Sequence, residues 1–352
     1  LMVETKEEWK EIIERCAAAG ADGNELNFGC PHGMCERGMG SAVGQEPDVL
    51  TEIAGWAVQF ASKPVLVKLT PNIGDILEPG LAARRSGAHG VSLINTIKSI
   101  IGVDLDRMVP NPMVGMASTN GGYCGPAVKP IAQHMVAQLA REPGFGLPIS
   151  GIGGISNWRD AAEFIALGSS SVQVCTAVMH HGYRIVSDMI EGLSDFLDER
   201  GMKSVSELIG VAVPQYKEWG ELDLNYQRLA RIDPDQCIGC QVCVTACMDG
   251  AHQCIFLPGQ SEAEMTKAGY THLPSHPIPF LTVQPGRGTP GARVPWVFDD
   301  ECVGCNLCQL VCPVPGCIEM VEVRKGPETT WNDRIAAGTA HVPGGLNCSQ
   351  KS

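Results

Sequence analysis

Short continuous apolar runs alternate with longer amphipathic stretches over the first 200 residues. The runs at 23–28, 64–69, 90–95, 148–151 and 171–175 read as buried strands. The stretches at 47–61, 76–86, 130–140, 158–167 and 183–198 carry apolar residues every three or four positions and read as helices. Another helix is expected over 5–19, where Thr5 and Glu8 have the spacing of a capping box. Gly87-Ala88-His89-Gly90 and Gly168-Ser169 fall where a helix hands over to the next strand, as C-cap glycines do. A repeated strand–helix order predicts parallel strands. Five strands are complete, and residues 1–3 read as the end of a sixth. A closed barrel has eight strands in about 250 residues. The expected class is therefore α/β, a (β/α)8 TIM barrel over 1–200 with its N-terminal strands missing.

The pattern changes after residue 200. Residues 201–230 read as a linker with a short helix near 205–209. A small α+β unit is expected over 231–323, interrupted by an insert at 258–295. That insert holds seven prolines and five glycines, which predicts an irregular excursion rather than packed core. Residues 324–352 read as a polar tail. The 352 residues are 44% hydrophobic with a formal charge of −13, which fits a soluble globular protein. That charge, with no Lys/Arg cluster to offset it, argues against nucleic acid. No apolar run has the length of a membrane span, and there is no signal peptide.

Sixteen cysteines sharpen the picture. Cys237-x2-Cys240-x2-Cys243-x3-Cys247 and Cys302-x2-Cys305-x2-Cys308-x3-Cys312-Pro313 each show the bacterial ferredoxin spacing for a [4Fe–4S] cluster. In two-cluster modules the fourth cysteine of each run serves the other cluster. The expected ligand sets are Cys237, Cys240, Cys243 and Cys312 for one cluster, and Cys302, Cys305, Cys308 and Cys247 for the other. The alternatives are zinc or scattered structural thiols, but a zinc site needs only four ligands. Thiolate ligands imply a reducing, cytoplasmic setting.

Barrel chemistry sits at the C-terminal strand ends. Lys68 interrupts an apolar strand, and a buried lysine needs a charge partner. The N1 region of a reduced flavin would serve; the plain alternative is a lysine snorkelling to the surface. Asn27, Asn95 and Thr96 lie at strand ends. An amide's adjacent donor and acceptor match the edge of a pyrimidine or other cyclic imide; each could instead only tie down its loop. Gly151-Ile152-Gly153-Gly154 and Cys175-Thr176 precede helices and suit a phosphate. The glycines lack a full G-x-G-x-x-G and its downstream acid, so FMN is favoured over NAD.

These residues carry a family resemblance. Glu25-Leu26-Asn27, Cys30-Pro31-His32-Gly33-Met34, Glu36-Arg37-Gly38-Met39-Gly40 and Gly44-Gln45 resemble dihydropyrimidine dehydrogenases. So do Lys68-Leu69-Thr70-Pro71-Asn72, Asn95-Thr96, Gly153-Gly154-Ile155, Gln173-Val174-Cys175 and the cysteine runs. The likeness covers residues 1 to about 323 and is to the FMN and iron–sulfur subunit of the bacterial NAD-dependent form. Class 1 dihydroorotate dehydrogenases share Asn27, Cys30 and Lys68 without a ferredoxin in the same chain.

The resemblance implies that Cys30 is the general acid at the pyrimidine C5. It implies that Asn27, Phe28, Gly29, Asn95 and Thr96 hold the substrate, and that Lys68, Gly125, Ile152, Gly153, Gly154, Cys175 and Thr176 line FMN. Electrons would come from NADH through an FAD-containing partner subunit in a hetero-oligomer. They would cross two [4Fe–4S] clusters to FMN, which reduces uracil or thymine at C6. Gly29 departs from the serine of vertebrate members, so one substrate hydrogen bond is missing. The strands expected before residue 1 carry a further flavin lysine and substrate asparagine in the family. Cys35, on the same loop as Cys30, is its main rival, and a buried structural thiol is the bland alternative for Cys30. Two other functions stay open: dehydrogenation of dihydroorotate or another cyclic amide, and pure electron transfer by a ferredoxin on an inactive barrel fragment.

Overall fold

The five apolar runs become five parallel strands: β1 (Asn24–Asn27), β2 (Val65–Lys68), β3 (Gly90–Leu93), β4 (Ile149–Ile152) and β5 (Ser171–Gln173). A computed structural model describes residues 1–32, 38–250, 252–274 and 276–340. It divides into two units, Leu1–Tyr216 and Lys217–Ser352. In the first unit the strands pair in chain order, β1-β2-β3-β4-β5. The register sets Asn27 against Lys68, Lys68 against Ser92, Ser92 against Ser150, and Ile152 against Gln173. All five C-terminal ends therefore share one edge. Beside β1, the Asn27 N–H donates to the Leu1 carbonyl at 2.7 Å, as residues 1–3 were expected to do if they continue the sheet.

The sheet curls. Five flat strands would put β1 and β5 about 19 Å apart at ordinary inter-strand spacing. Yet Gln173 Nε2 on β5 donates to Glu25 Oε2 on β1 at 2.8 Å. The two edge strands thus turn their inner faces toward each other, as strands on an arc of a barrel do.

Helices cover the outer face. They are α1 (Lys6–Ala18), α2 (Pro47–Phe60), α3 (Leu77–Arg85), α4 (Lys129–Arg141), α5 (Trp158–Ala166), α6 (Thr176–His181) and α7 (Arg184–Glu199). The capping box at Thr5 and Glu8 forms, and Trp9 and Ile13, one turn apart, are buried. Trp9 meets Phe28 edge-to-face with centroids 6.0 Å apart, joining α1 to the sheet. In α2, Pro47 occupies the first turn and Leu50, Ile53, Ala54 and Ala57 form the buried stripe. Asn157 caps α5, its Oδ1 accepting from the N–H groups of Arg159 and Asp160 at 2.9 and 3.1 Å.

Two stretches differ from the sequence reading. Between β3 and α4 the chain forms short antiparallel pairs, the outermost joining Ile97–Ser99 to Gly121–Tyr123. Strands of two or three residues leave no readable alternation. Residues 201–216, expected to be linker, pack with the first unit, where Leu208 is buried with Ala162 and Ile165.

The second unit is built on an antiparallel pair, β6 (Tyr226–Ile232) against β9 (Ile318–Arg324), with Tyr226 opposite Arg324 and Ile232 opposite Ile318. Between them come α8 (Val242–Asp249), β7 (Ile255–Phe256), α9 (Glu262–Lys267), β8 (Trp296–Val297) and α10 (Leu307–Leu310). The insert at 258–295 is not all irregular excursion. Met265 and Tyr270 bury against Phe256 and Phe298, and Val283 and Val294 join the core around the cysteines. Its prolines break regular elements without removing these apolar anchors. The polar tail forms a short helix, α11 (Trp331–Ala336), capped by Thr330. Among the described residues no helix is long and apolar enough to cross a membrane.

Candidate active site and cysteine cavities

The strand ends of the first unit gather two polar groups. The deeper group lies on the inner face. Lys68 Nζ is 3.1 Å from Glu25 Oε1 and 3.4 Å from Gln173 Oε1, and Gln173 Nε2 also reaches Ser150 Oγ at 3.2 Å. The Lys68 side chain is 18% exposed, so it does not snorkel, and its charge partner is Glu25. Burial pushes the Glu25 carboxyl up. The hydrogen bond from Gln173 and the Lys68 charge together outweigh it and hold the group below its ordinary value.

The second group surrounds Cys30. Asn27 Oδ1 accepts from the N–H groups of Gly29 and Cys30 at 3.3 and 3.1 Å and from Asn95 Nδ2 at 2.8 Å. One amide thus sets the turn that presents Cys30 and ties β1 to β3. Asn95 Oδ1 in turn accepts from the Thr96 N–H at 2.8 Å. Asn72, not among the expected site residues, supports the Asn95 loop: its Nδ2 donates to the Thr96 carbonyl at 3.0 Å and its Oδ1 accepts from the Lys98 N–H at 2.8 Å. Cys30 is half-buried with Sγ 3.7 Å from His32 Nδ1. The Ser41 N–H donates to the Cys30 carbonyl at 3.0 Å. Gly122 approaches from the hairpin; a Cβ there would crowd Thr96 and lie 2.9 Å from His32 Cε1. Phe28 points away, into the core against Trp9, so only its backbone faces this side. Cys35, with Gly33, Met34, Glu36 and Arg37, lies outside the described residues.

The glycine positions converge at the next strand ends. Gly153 and Gly154 have φ of +139° and +76°, a range that favours glycine. A Cβ on Gly154 would lie 2.7 Å from the Gly125 carbonyl oxygen, and one on Gly125 would lie 3.5 Å from Thr176 Cγ2. Gly125, Gly154 and Thr176 are therefore neighbours, with Cys175 at the N-cap of α6. The Ile94 N–H donates to the Ile152 carbonyl at 2.7 Å, joining this group to the Asn95 loop. Asp160 steadies the segment by accepting from the Ser156 N–H at 2.8 Å and pairing with Lys129.

In the second unit the cysteines sort into two cavities. One is lined by Cys237, Cys240, Cys243 and Cys312. The other is lined by Cys302, Cys305, Cys308 and Cys247. The two loops share a backbone shape: Gly239 and Gly304 have φ of +71° and +70°, and Gln241 and Asn306 have +62° and +68°. Burial pushes the Cys243 thiol up to about 12 and the Cys308 thiol up to about 11. Among the described residues no three or more His, Cys, Asp or Glu side chains are grouped to hold one metal ion. The thiols stand around a space instead of closing on a point.

Sequence reasoning assigned no role to Glu25, Gln173, Asn72, His32 or Gly122. A signal existed for Glu25: it is a polar residue two positions from Asn27 in a strand, and so on the same face.

The family model for dihydroorotate dehydrogenase matches residues 2–197. The chain is 40% identical over 325 residues to the NAD-dependent dihydropyrimidine dehydrogenase subunit PreA of Escherichia coli strain K12, covering 92% of this chain and 71% of that protein. It is 46% identical over 209 residues to the chloroplastic dihydropyrimidine dehydrogenase (NADP(+)) of Arabidopsis thaliana, covering 58% and 49% of the two chains. It is 42% identical over 209 residues to the catalytic subunit of dihydroorotate dehydrogenase B (NAD(+)) of Pyrococcus abyssi, covering 59% and 66%. The chain is an oxidoreductase of the dihydroorotate dehydrogenase family.

Proposed function

We propose that this chain reduces uracil or thymine to the 5,6-dihydropyrimidine. Electrons from NADH would reach it through an FAD-containing partner subunit, two [4Fe–4S] clusters and FMN. One observation carries the choice: a barrel-type unit shares its chain with two cavities that each gather four cysteines of the spaced runs, and the Escherichia coli relative aligned over 92% of the chain is a dihydropyrimidine dehydrogenase subunit. The dihydroorotate dehydrogenase relative from Pyrococcus abyssi aligns over 59%.

The donor set fits FMN. Lys68, on the inner face, suits the N1 region of a flavin ring, and Gly125, Ile152, Gly153, Gly154, Cys175 and Thr176 suit its phosphate end. FMN bound there would supply the electron pair that reduces the substrate at C6. The chain's own residues do the rest. Asn27 Oδ1 already accepts three hydrogen bonds, which leaves its Nδ2 to donate to a ring carbonyl. Asn95 and Thr96 border the same space. Cys30 holds the proton delivered to C5, and His32 Nδ1 lies 3.7 Å from that sulfur.

Cys237, Cys240, Cys243 and Cys312 would hold one cluster and Cys302, Cys305, Cys308 and Cys247 the other, in a two-cluster ferredoxin fold. Thiolate-bound clusters place the protein in a reducing, cytoplasmic setting. The family match favours a second reading, dihydroorotate dehydrogenation. Anaerobic turnover of the full-length protein with NADH and its FAD subunit separates them. Uracil and thymine should be consumed and orotate left unchanged; orotate turnover alone would establish the second reading.

A further inference from the structure

Each cysteine cavity carries one thiol more than a four-iron cluster needs. Cys317 lines the first cavity beside its four cysteines, and Cys254 lines the second. Both are buried, at 3% and 4% exposure. They occupy equivalent places. Cys254 Sγ lies 3.5 Å from Cys247 Sγ, the fourth cysteine of the first run, and Cys302, the first cysteine of the second, lines the same cavity. Cys317 lies in the cavity of Cys312, the fourth of the second run, and Cys237, the first of the first, and its Sγ donates to the Asp233 carbonyl at 3.9 Å. Each is followed by a buried isoleucine that opens a strand, Ile255 of β7 and Ile318 of β9. A buried cysteine used only as core filler needs no such repeat.

We propose that Cys254 donates an S–H hydrogen bond to the Cys247 sulfur of its own cluster and so raises that cluster's reduction potential. The proposal rests on the reading that the two cavities hold [4Fe–4S] clusters. Once Cys247 is an iron-bound thiolate it can only accept, so the proton between the two sulfurs belongs to Cys254. The geometry is closest at Cys254: Sγ is 3.5 Å from Cys247 Sγ, and its backbone N–H donates to the same sulfur at 3.3 Å. Reduction adds one negative charge to the cluster and its ligands. A donor aimed at a ligand sulfur stabilises that charge, and hydrogen bonds to sulfur are among the determinants of cluster potential. Burial removes the water that would otherwise compete.

The test is an iron count and an EPR-monitored redox titration of the anaerobic full-length protein and of Cys254→Ala, Cys254→Val and Cys317→Ala. Valine fills the side-chain volume where alanine would leave a cavity that prevents assembly. Cys254→Ala or Cys254→Val should keep the parent's iron content and lower one of the two midpoints, with the other unmoved. The expected change is about tenfold in the reduction constant, or ~59 mV for a one-electron couple. Cys317→Ala, which removes a thiol turned to the Asp233 carbonyl, should leave both midpoints in place. Unchanged midpoints in both Cys254 variants would show that the Cys254 thiol is filler. Loss of half the iron in both Cys254 variants would show that Cys254 is itself a ligand. A parent without iron would overturn the cluster reading itself, a result distinct from either.

Discussion

Gly29 is the tightest point of the proposed substrate site, and its substitution gives a prediction that can be worked from distances. A Cβ on Gly29 would lie 2.8 Å from Asn95 Nδ2 and 2.9 Å from Cγ, with Asn95 Cβ nearer still. Ordinary carbon contacts need about 3.5–4.0 Å, so Asn95 must move by about 1 Å. That movement breaks its 2.8 Å hydrogen bond to Asn27 Oδ1. Asn27 also sets the Cys30 turn, so the disturbance reaches the proposed proton donor. Overpacking costs about 1–3 kcal/mol and one lost hydrogen bond about 0.5–1.5 kcal/mol. A 1 Å misplacement of a positioning group costs on the order of 10²-fold in rate. Gly29→Ala should therefore lower the melting temperature and cut pyrimidine kcat/KM by about that factor, while reduction of bound flavin by the partner stays normal. Adding Asn95→Gly should recover only part of the melting temperature, because it relieves the crowding but removes the hydrogen bonds to Asn27 and Thr96, and should not restore turnover. The same crowding means that a serine at position 29 would also displace Asn95. Full turnover and unchanged melting in Gly29→Ala would refute this reasoning.

Other outcomes follow from the same geometry. Cys30→Ala should leave flavin reduction intact and slow pyrimidine reduction by about 10²–10⁴-fold, the range for a lost general acid, whereas Cys35→Ala should cost far less in the same stopped-flow comparison. Because the Glu25 carboxyl is held below its ordinary value of 4.5, its contribution to stability is complete above that pH and is lost as pH falls through the lower folded value. Melting temperatures measured down the acid range should drop more steeply for the parent than for Glu25→Gln. Anaerobically prepared protein should contain about eight irons per chain, as two four-iron clusters require. Cys312→Ser should damage the cluster assigned to Cys237, Cys240 and Cys243, as read by iron analysis and EPR.

The strands and outer helices were legible because parallel strands are unbroken apolar runs and the helices announce their ends. Thr5 with Glu8, Pro47 and Gly87 each mark a boundary that chemistry enforces. The cysteine runs were legible because a four-iron cluster constrains its ligand spacing. Contacts across the sheet were not. Gln173 and Glu25 are 148 residues apart, and only the curl of the sheet brings them together. Lys68 was expected to want a partner, but nothing in its neighbourhood of sequence named Glu25. Cys254 and Cys317 fall outside the spaced runs, so only the folded chain brings them beside the run cysteines. The core of the insert was hidden by its prolines, which obscured Met265 and Tyr270.

The most direct test of the central claim is a single turnover. Dithionite-reduced, FMN-loaded full-length protein is mixed anaerobically with uracil, and both the flavin absorbance and the product are followed. The account predicts that flavin reoxidises on mixing and dihydrouracil forms in matching amount. Flavin that stays reduced with uracil but reoxidises with orotate would contradict it.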